Sequence, residues 1–401
     1  MKVSLVDVKG YRCWGAHVGI KSKRRDLALI VSDAPAAGAA VFTRNVVVAE
    51  PVKLSRRHVR DGRLQAFVVN SGNANACTGR QGRDGARAMV AAAAESLQID
   101  PRLVLVASTG IIGEPFPTDK VAEGIRENVV KLSRRPVAST LAANAILTTD
   151  TFAKEAGVNF PLGDKTALMA GIAKGSGMIH PDMGTMLGFI VCDAYVAPSL
   201  LKEALQEAVD CSFNMITVDG DTSTNDMVAI MCNGAAGTPA IRRKDKAYAT
   251  FRKALDGLCK ELARLIVSDG EGATKFIEYV VQGAADDASA RRLVRTIADS
   301  SLVKTAFFGN DPNWGRIMGA AGRAGVPFDP DKVDLSLSAG ASYPLLKDGQ
   351  PADVNRAALA KHMRESFLRV TLDLNQGHGR AVGWGTDLSY EYVRINAEYT
   401  T

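Results

Sequence analysis

Histidine is scarce in this chain: five among 401 residues, at positions 17, 58, 180, 362 and 378. Their spacing brings no two onto one metal ion, so no metal centre is expected. The six cysteines, at 13, 77, 192, 211, 232 and 259, form no Cys-x-x-Cys pair. A chain this long is no disulfide scaffold either, and a reduced, cytoplasmic setting fits best. No apolar run approaches bilayer length, and no apolar stretch behind the basic second residue looks like a secretory signal. Basic residues cluster only in short groups at 21–25, 134–135 and 242–244. Solvated faces explain these better than nucleic acid binding. The glycines of 319–325 lack the dinucleotide spacing and read as turns or close packing. The acidic run Asp219-Gly-Asp-Thr-Ser-Thr-Asn-Asp226 has the wrong acceptor order for a calcium loop and reads as a structured loop near the chemistry.

What remains is an ordinary soluble composition, 46% hydrophobic and 23% charged, with a net charge of +6. The length suggests two or three structural units. Strands are expected at 65–70, 103–107, 186–196, 276–281, 333–338 and 368–373. Helices are expected at 86–97, 118–132, 140–147, 198–211, 246–266, 288–299 and 354–365. Thr118 reads as an N-cap, and 311–316 reads as a rigid turn that packs Trp314. Met178, Met183 and Met186 read as core filler. A domain boundary is expected near residue 283.

The chemistry concentrates in Met178-Ile-His-Pro-Asp-Met-Gly-Thr-Met-Leu187. Turn residues run there directly into an apolar strand, so Thr185 stands at a loop-to-strand junction behind a glycine. Its hydroxyl can attack the Gly184 carbonyl, convert the amide to an ester and let water cut the chain. Thr185 would then be an N-terminus whose α-amine, with a reference pKa of about 7.7–8.0, can serve as base for its own hydroxyl. On local chemistry alone an ordinary strand threonine is the better reading. Ser108-Thr109-Gly110 follows an expected strand, where small residues expose backbone N–H groups to an anion; a plain turn is the alternative.

The wider segment, Ala173-Lys-Gly-Ser-Gly-Met-Ile-His-Pro-Asp-Met-Gly-Thr-Met-Leu-Gly-Phe189, resembles the self-cleavage segment of the ornithine acetyltransferases, the glutamate N-acetyltransferases of arginine biosynthesis. So do Val69-Asn-Ser-Gly-Asn-Ala-Asn-Ala-Cys-Thr-Gly79, Ser108-Thr-Gly-Ile-Ile-Gly113, Leu147-Thr-Thr-Asp-Thr151, Asp219–Asp226, Ser268-Asp-Gly-Glu-Gly-Ala-Thr-Lys275, Gly309-Asn-Asp-Pro-Asn-Trp-Gly-Arg316 and Ile395-Asn-Ala-Glu-Tyr-Thr-Thr401. The resemblance runs through nearly the whole chain in order.

It implies an α/β protein with a four-layer αββα core like the N-terminal nucleophile hydrolases, over residues 1–283. A smaller α/β domain, 284–401, would send its tail back to the active site. It implies cleavage between Gly184 and Thr185, with Thr185 as nucleophile and Thr109 and Gly110 as oxyanion hole. Thr148, Lys174, Thr185, Glu271, Asn396 and Thr401 would bind substrate. From spacing alone, Lys174 and Glu271 would pass as surface residues. The implied reaction moves acetyl from N²-acetylornithine to glutamate, with acetyl-CoA as a second candidate donor and no metal or organic cofactor. Chains 1–184 and 185–401 would stay together, two of each in a cytoplasmic heterotetramer. The alternative keeps the nucleophile but passes the acyl group to water, as an aminopeptidase or amidase would.

Overall fold

The computed structural model describes residues 3–180 and 186–398. Gly184, Thr185 and Thr401 therefore lie outside the described residues. Among these residues the protein is mixed α/β on two sheets, the class expected. The first sheet has eight strands. Seven run in the order Val104–Ile111, Arg63–Asn73, Leu27–Phe42, Met227–Cys232, Leu187–Cys192, Lys165–Lys174 and Lys154–Leu162; Tyr11–Ala16 pairs with Leu27–Phe42 off that path. Its central strands are apolar throughout. Leu187–Cys192 and Met227–Cys232 are buried at every position, as strands covered on both faces must be.

Helix Lys246–Ser268 covers part of this sheet. Asp245 caps it, its carboxylate accepting from the N–H groups of Ala247 and Tyr248. Phe251, Leu255, Leu258 and Leu262 recur at helical spacing and are buried over Lys154–Leu162 and Lys165–Lys174. Burying each such side chain contributes roughly 1.5–3 kcal/mol. The same helix also touches Gly379–Thr386 of the second sheet. That sheet runs Gln350–Pro351, Ala341–Lys347, Asp334–Ala339, Phe367–Asp373, Phe276–Ala284, Gly379–Thr386 and Ile216–Thr217. A division at residue 283 falls inside Phe276–Ala284, which pairs with Phe367–Asp373 and Gly379–Thr386. The second sheet thus draws strands from both sides of that position.

Several local expectations change. Thr118 is the first helical residue rather than the cap; Pro117 holds the cap position and the Thr118 hydroxyl turns back to the Phe116 carbonyl. Residues Trp314–Gly322 form a helix capped by Asn313, whose side chain accepts from the Arg316 N–H. Trp314 at its start is exposed rather than packed. The glycines expected to make turns are absorbed largely into that helix. Met186 is core, but Met178 is half-buried and borders a cavity; Met183 lies outside the described residues.

Candidate acyl-transfer site

A cavity of about 90 Å³ gathers Thr109, Gly110, Thr148, Lys174, Glu271 and Asn396, the six described residues singled out from the sequence. They come from five separate places in the chain, and only tertiary packing joins them.

Thr109 and Gly110 end the strand Val104–Ile111, which runs parallel to Arg63–Asn73. Thr109 is buried. Gly110 has φ +131, and a Cβ built on it would lie 2.3 Å from the Gly72 carbonyl carbon, so only glycine fits. Asn225 braces this wall: its amide donates to the carbonyls of Ala74, at 2.6 Å, and Ser108, at 2.9 Å. Asn225 itself borders the cavity.

Lys174 ends the strand Lys165–Lys174, and the sheet register sets it opposite Leu187, which in turn pairs with Met227. Its ammonium donates to Thr148 Oγ1 at 2.7 Å and lies 3.8 Å from Asp150 Oδ2. Burial, reinforced by the nearby Lys154 charge, lowers the Lys174 pKa, and Asp150 only partly restores it. Lys174 therefore gives up its proton more easily than an ordinary lysine.

Beneath it lies a buried network that sequence spacing did not reveal. Lys154 is fully buried and donates to Asp150 Oδ1 at 2.7 Å and Asp269 Oδ2 at 2.5 Å. Asp150 also accepts from the N–H groups of Thr148, at 2.9 Å, and Gly175, at 2.7 Å. Burial pushes the Asp150 carboxyl up, but Lys174 and Lys154 together outweigh it and hold it below the usual carboxylate range. Asp269 accepts from the Thr151 N–H and hydroxyl. One ion cluster thereby ties the 147–151 segment, the end of Lys165–Lys174 and the 269–271 turn into one unit. Asp150 and Asp269 stood inside quoted motifs, so a signal was present; their pairing was not.

Glu271 projects from that turn. A Cβ on Gly177 would meet its carboxyl at 2.3 Å, so this glycine makes room for it. Its N–H donates to the Ser176 carbonyl, and Oε2 accepts from Asn396 Nδ2 at 2.9 Å. Asn396 sits on the helix Tyr390–Glu398 and borders the cavity. Ser389, whose hydroxyl donates to the Gly272 carbonyl, and Tyr392, whose hydroxyl donates to Asp219 Oδ2 at 3.2 Å, anchor it there.

The acidic 219–226 loop lies at this site. Asp219 accepts from the N–H groups of Met178, at 2.6 Å, and Ile179, at 2.8 Å. Burial nonetheless raises its carboxyl to about 6. Asp226 is fully buried. Its Oδ1 accepts from the Met186 N–H at 2.8 Å, while Oδ2 has no hydrogen-bond partner among the described residues. Burial keeps this carboxyl well above its usual range, against the pull of the Met186 N–H and of Lys174. Thr185, outside the described residues, is the residue before Met186 in the chain.

Residues 12–401 match the ArgJ family. The chain belongs to it. The arginine biosynthesis bifunctional protein ArgJ of Symbiobacterium thermophilum is 49% identical over 98% of this chain and 97% of its own. Among solved structures, ArgJ of Bacillus halodurans is 43% identical, covering 46% of this chain and 97% of that one with a TM-score of 0.44. The ornithine acetyltransferase of Mycobacterium tuberculosis, solved with ornithine, is 35% identical, covering 46% and 95% with a TM-score of 0.41. Membership in the ArgJ family makes the chain an acetyltransferase of arginine biosynthesis, the enzyme class expected. No group of three His, Cys, Asp or Glu among the described residues is placed to hold a metal ion.

Proposed function

We propose that the protein cuts itself between Gly184 and Thr185 and then carries acetyl from N²-acetylornithine to glutamate on the Thr185 hydroxyl. The observation that carries this reading is the convergence of Thr109, Gly110, Thr148, Lys174, Glu271 and Asn396 on one cavity at the end of the strand that Thr185 leads into. In the first half-reaction Thr185 Oγ attacks the acetyl carbonyl and its proton passes to the α-amine. The oxyanion that develops faces the Thr109–Gly110 turn, where one well-placed donor is typically worth about 2.7–4 kcal/mol. The carbon–nitrogen bond breaks, and the proton leaves on the departing ornithine amine. Glutamate then attacks the acetyl ester, and Thr185 Oγ regains a proton as it leaves. Lys174, whose pKa burial lowers, suits proton handling at this site. The carboxylate of Glu271 suits the side-chain ammonium of ornithine. No metal or organic cofactor enters this scheme.

The two fragments would stay joined. Leu187–Cys192 from the second lies in one sheet between Lys165–Lys174 of the first and its own Met227–Cys232. A heterotetramer of two copies of each, in the cytoplasm, completes the reading. Purified protein should appear as two chains, the second beginning Thr-Met-Leu, and initial rates should give parallel, ping-pong lines. Thr185→Ala should stay uncut and inactive. A wild-type protein of full-length mass that still transfers acetyl would overturn the scheme, and release of free acetate in place of acetylglutamate would make the enzyme an amidase.

A further inference from the structure

Asp219 does not itself border the acetyl cavity, yet it holds two parts that do. The first is Met178, which has φ +56, a left-handed backbone that a residue with a side chain rarely adopts. In that conformation the consecutive N–H groups of Met178 and Ile179 converge on one anion, and the Asp219 carboxylate takes both, at 2.6 Å and 2.8 Å. The Ile179 carbonyl closes the joint from the other side. It accepts from the Val218 N–H at 2.9 Å and from the Thr217 hydroxyl at 3.2 Å.

The second part is the tail helix. Its root is fixed without Asp219. The buried Lys304 ammonium donates to the Thr386 carbonyl and hydroxyl, and Asp387 accepts from the N–H groups of Thr274 and Lys275. The helix Tyr390–Glu398 itself buries none of its residues. Two of its side chains, one turn apart, reach the body of the protein. The Tyr392 hydroxyl donates to Asp219 Oδ2 at 3.2 Å; the Asn396 amide donates to Glu271 Oε2 at 2.9 Å and back to the Tyr392 carbonyl at 3.0 Å. A helical turn is a fixed step, so the place of Tyr392 sets where the next turn presents Asn396.

We propose that Asp219 is a positioning residue for substrate binding: one carboxylate holds Met178 at the cavity and, through Tyr392, sets the place at which the tail helix presents Asn396 to Glu271. The proposal rests on the reading of this cavity as the acetyl-transfer site. In that reading Met178 belongs to the fragment that ends at 184, and Asp219 and Tyr392 to the one that begins at 185. The same carboxylate then joins the two chains beside the substrate. Thr109 and Gly110 are held by sheet pairing and by Asn225 instead. Loss of Asp219 therefore falls on binding and spares the chemical step.

The test compares Asp219→Ala, Tyr392→Phe and the double variant in the full chain, with the cleavage of each read from its mass. Tyr392→Phe should raise the KM for acetylornithine roughly 2- to 5-fold and Asp219→Ala roughly 5- to 20-fold, with kcat within about threefold of wild type. The double variant should match Asp219→Ala within about twofold, because the hydroxyl has then already lost its acceptor. An unchanged KM in Tyr392→Phe, losses that multiply in the double variant, or a fall in kcat at constant KM each overturns the proposal. Tyr392→Phe leaves the Met178 and Ile179 bonds in place and decides the matter alone if Asp219→Ala does not fold or is not cut. If the wild type transfers no acetyl, the acetyl-transfer reading fails instead, and calorimetric titration with ornithine decides the positioning. Weaker binding to Tyr392→Phe than to wild type supports it; equal affinity, or no binding to either protein, overturns it.

Discussion

The two walls of the acetyl cavity are built differently. The wall of Thr109 and Gly110 is a strand end inside a sheet, with a glycine no other residue can replace and with the Asn225 amide clamped across two backbone carbonyls. The wall of Glu271 and Asn396 is a turn and an exposed C-terminal helix, joined by the Asn396–Glu271 hydrogen bond and by Ser389 to the Gly272 carbonyl. A group that stabilises developing charge works only if it is fixed in advance, because reorganisation would consume the gain. A group that reads the far end of a substrate faces the opposite demand. In the proposed reaction ornithine ends in an ammonium and glutamate in a carboxylate, and one site would have to take both in turn. The rigid wall fits the first task and the adjustable wall the second.

The largest effect is expected from the charge cluster that holds the 269–271 turn of the adjustable wall. Lys154→Met leaves Asp269 buried without its cation and Asp150 with Lys174 alone, 3.8 Å away. It should cost about 3–5 kcal/mol, read as a lower urea midpoint. A loss below about 1 kcal/mol would mean the carboxylates find other partners. Next comes the fixed wall itself. Gly110→Ala forces a Cβ into the Gly72 backbone and should lower kcat by roughly 10²–10³-fold with little change in KM. A change confined to KM would move this residue from charge stabilisation to substrate binding.

The third test concerns Asp219, which lies between the walls and receives the Tyr392 hydroxyl. Its folded pKa, about 6, lies above the unfolded value. A raised carboxyl favours the protonated folded state. Its contribution to stability is therefore complete below about pH 3.9 and is lost as pH climbs through 6. The loss is up to about 3 kcal/mol across those two units. Asp219→Asn should flatten that limb in melting temperature against pH; an unchanged slope would assign it to other groups. The smallest effect belongs to the adjustable wall. Asn396→Ala removes two exposed hydrogen bonds, to Glu271 and to the Tyr392 carbonyl, and should raise the KM for acetylornithine roughly 2- to 10-fold, with self-cleavage intact. A kcat loss as large as that of Gly110→Ala would place Asn396 with the fixed groups and erase the comparison.

Local periodicity made much of the framework legible. The 103–107 run overlaps the strand Val104–Ile111 in all but Leu103, which closes a short 3-10 turn, and the apolar face of 246–266 lies within the helix Lys246–Ser268. The hairpin of Lys154–Leu162 and Lys165–Lys174 was not legible. Its first strand opens on a lysine buried only because Asp150 and Asp269 surround it. Asp150 and Lys154 four residues apart even look like a helical pair, although the backbone there is extended. The Trp314–Gly322 helix was hidden by glycines, which a cap and a packed neighbour override.

For the site, the strand-end position of Thr109 and Gly110 follows from the chain's own pattern of apolar run and small residues. The strand that Thr185 leads into follows from the turn residues before an apolar stretch. Those are consequences of local sterics and burial, and they act over a few residues. That Lys174 meets Thr148, that Glu271 meets Asn396 across 125 positions, and that Asp226 takes the Met186 N–H are different in kind. Spacing along the chain carries no information about such pairs. They exist because sheet order sets Leu187–Cys192 between Lys165–Lys174 and Met227–Cys232, and because the tail helix finds its partners on the 269–272 turn. Burial then shifts a lysine down and aspartates off their usual values, a property no residue has until the fold removes its water.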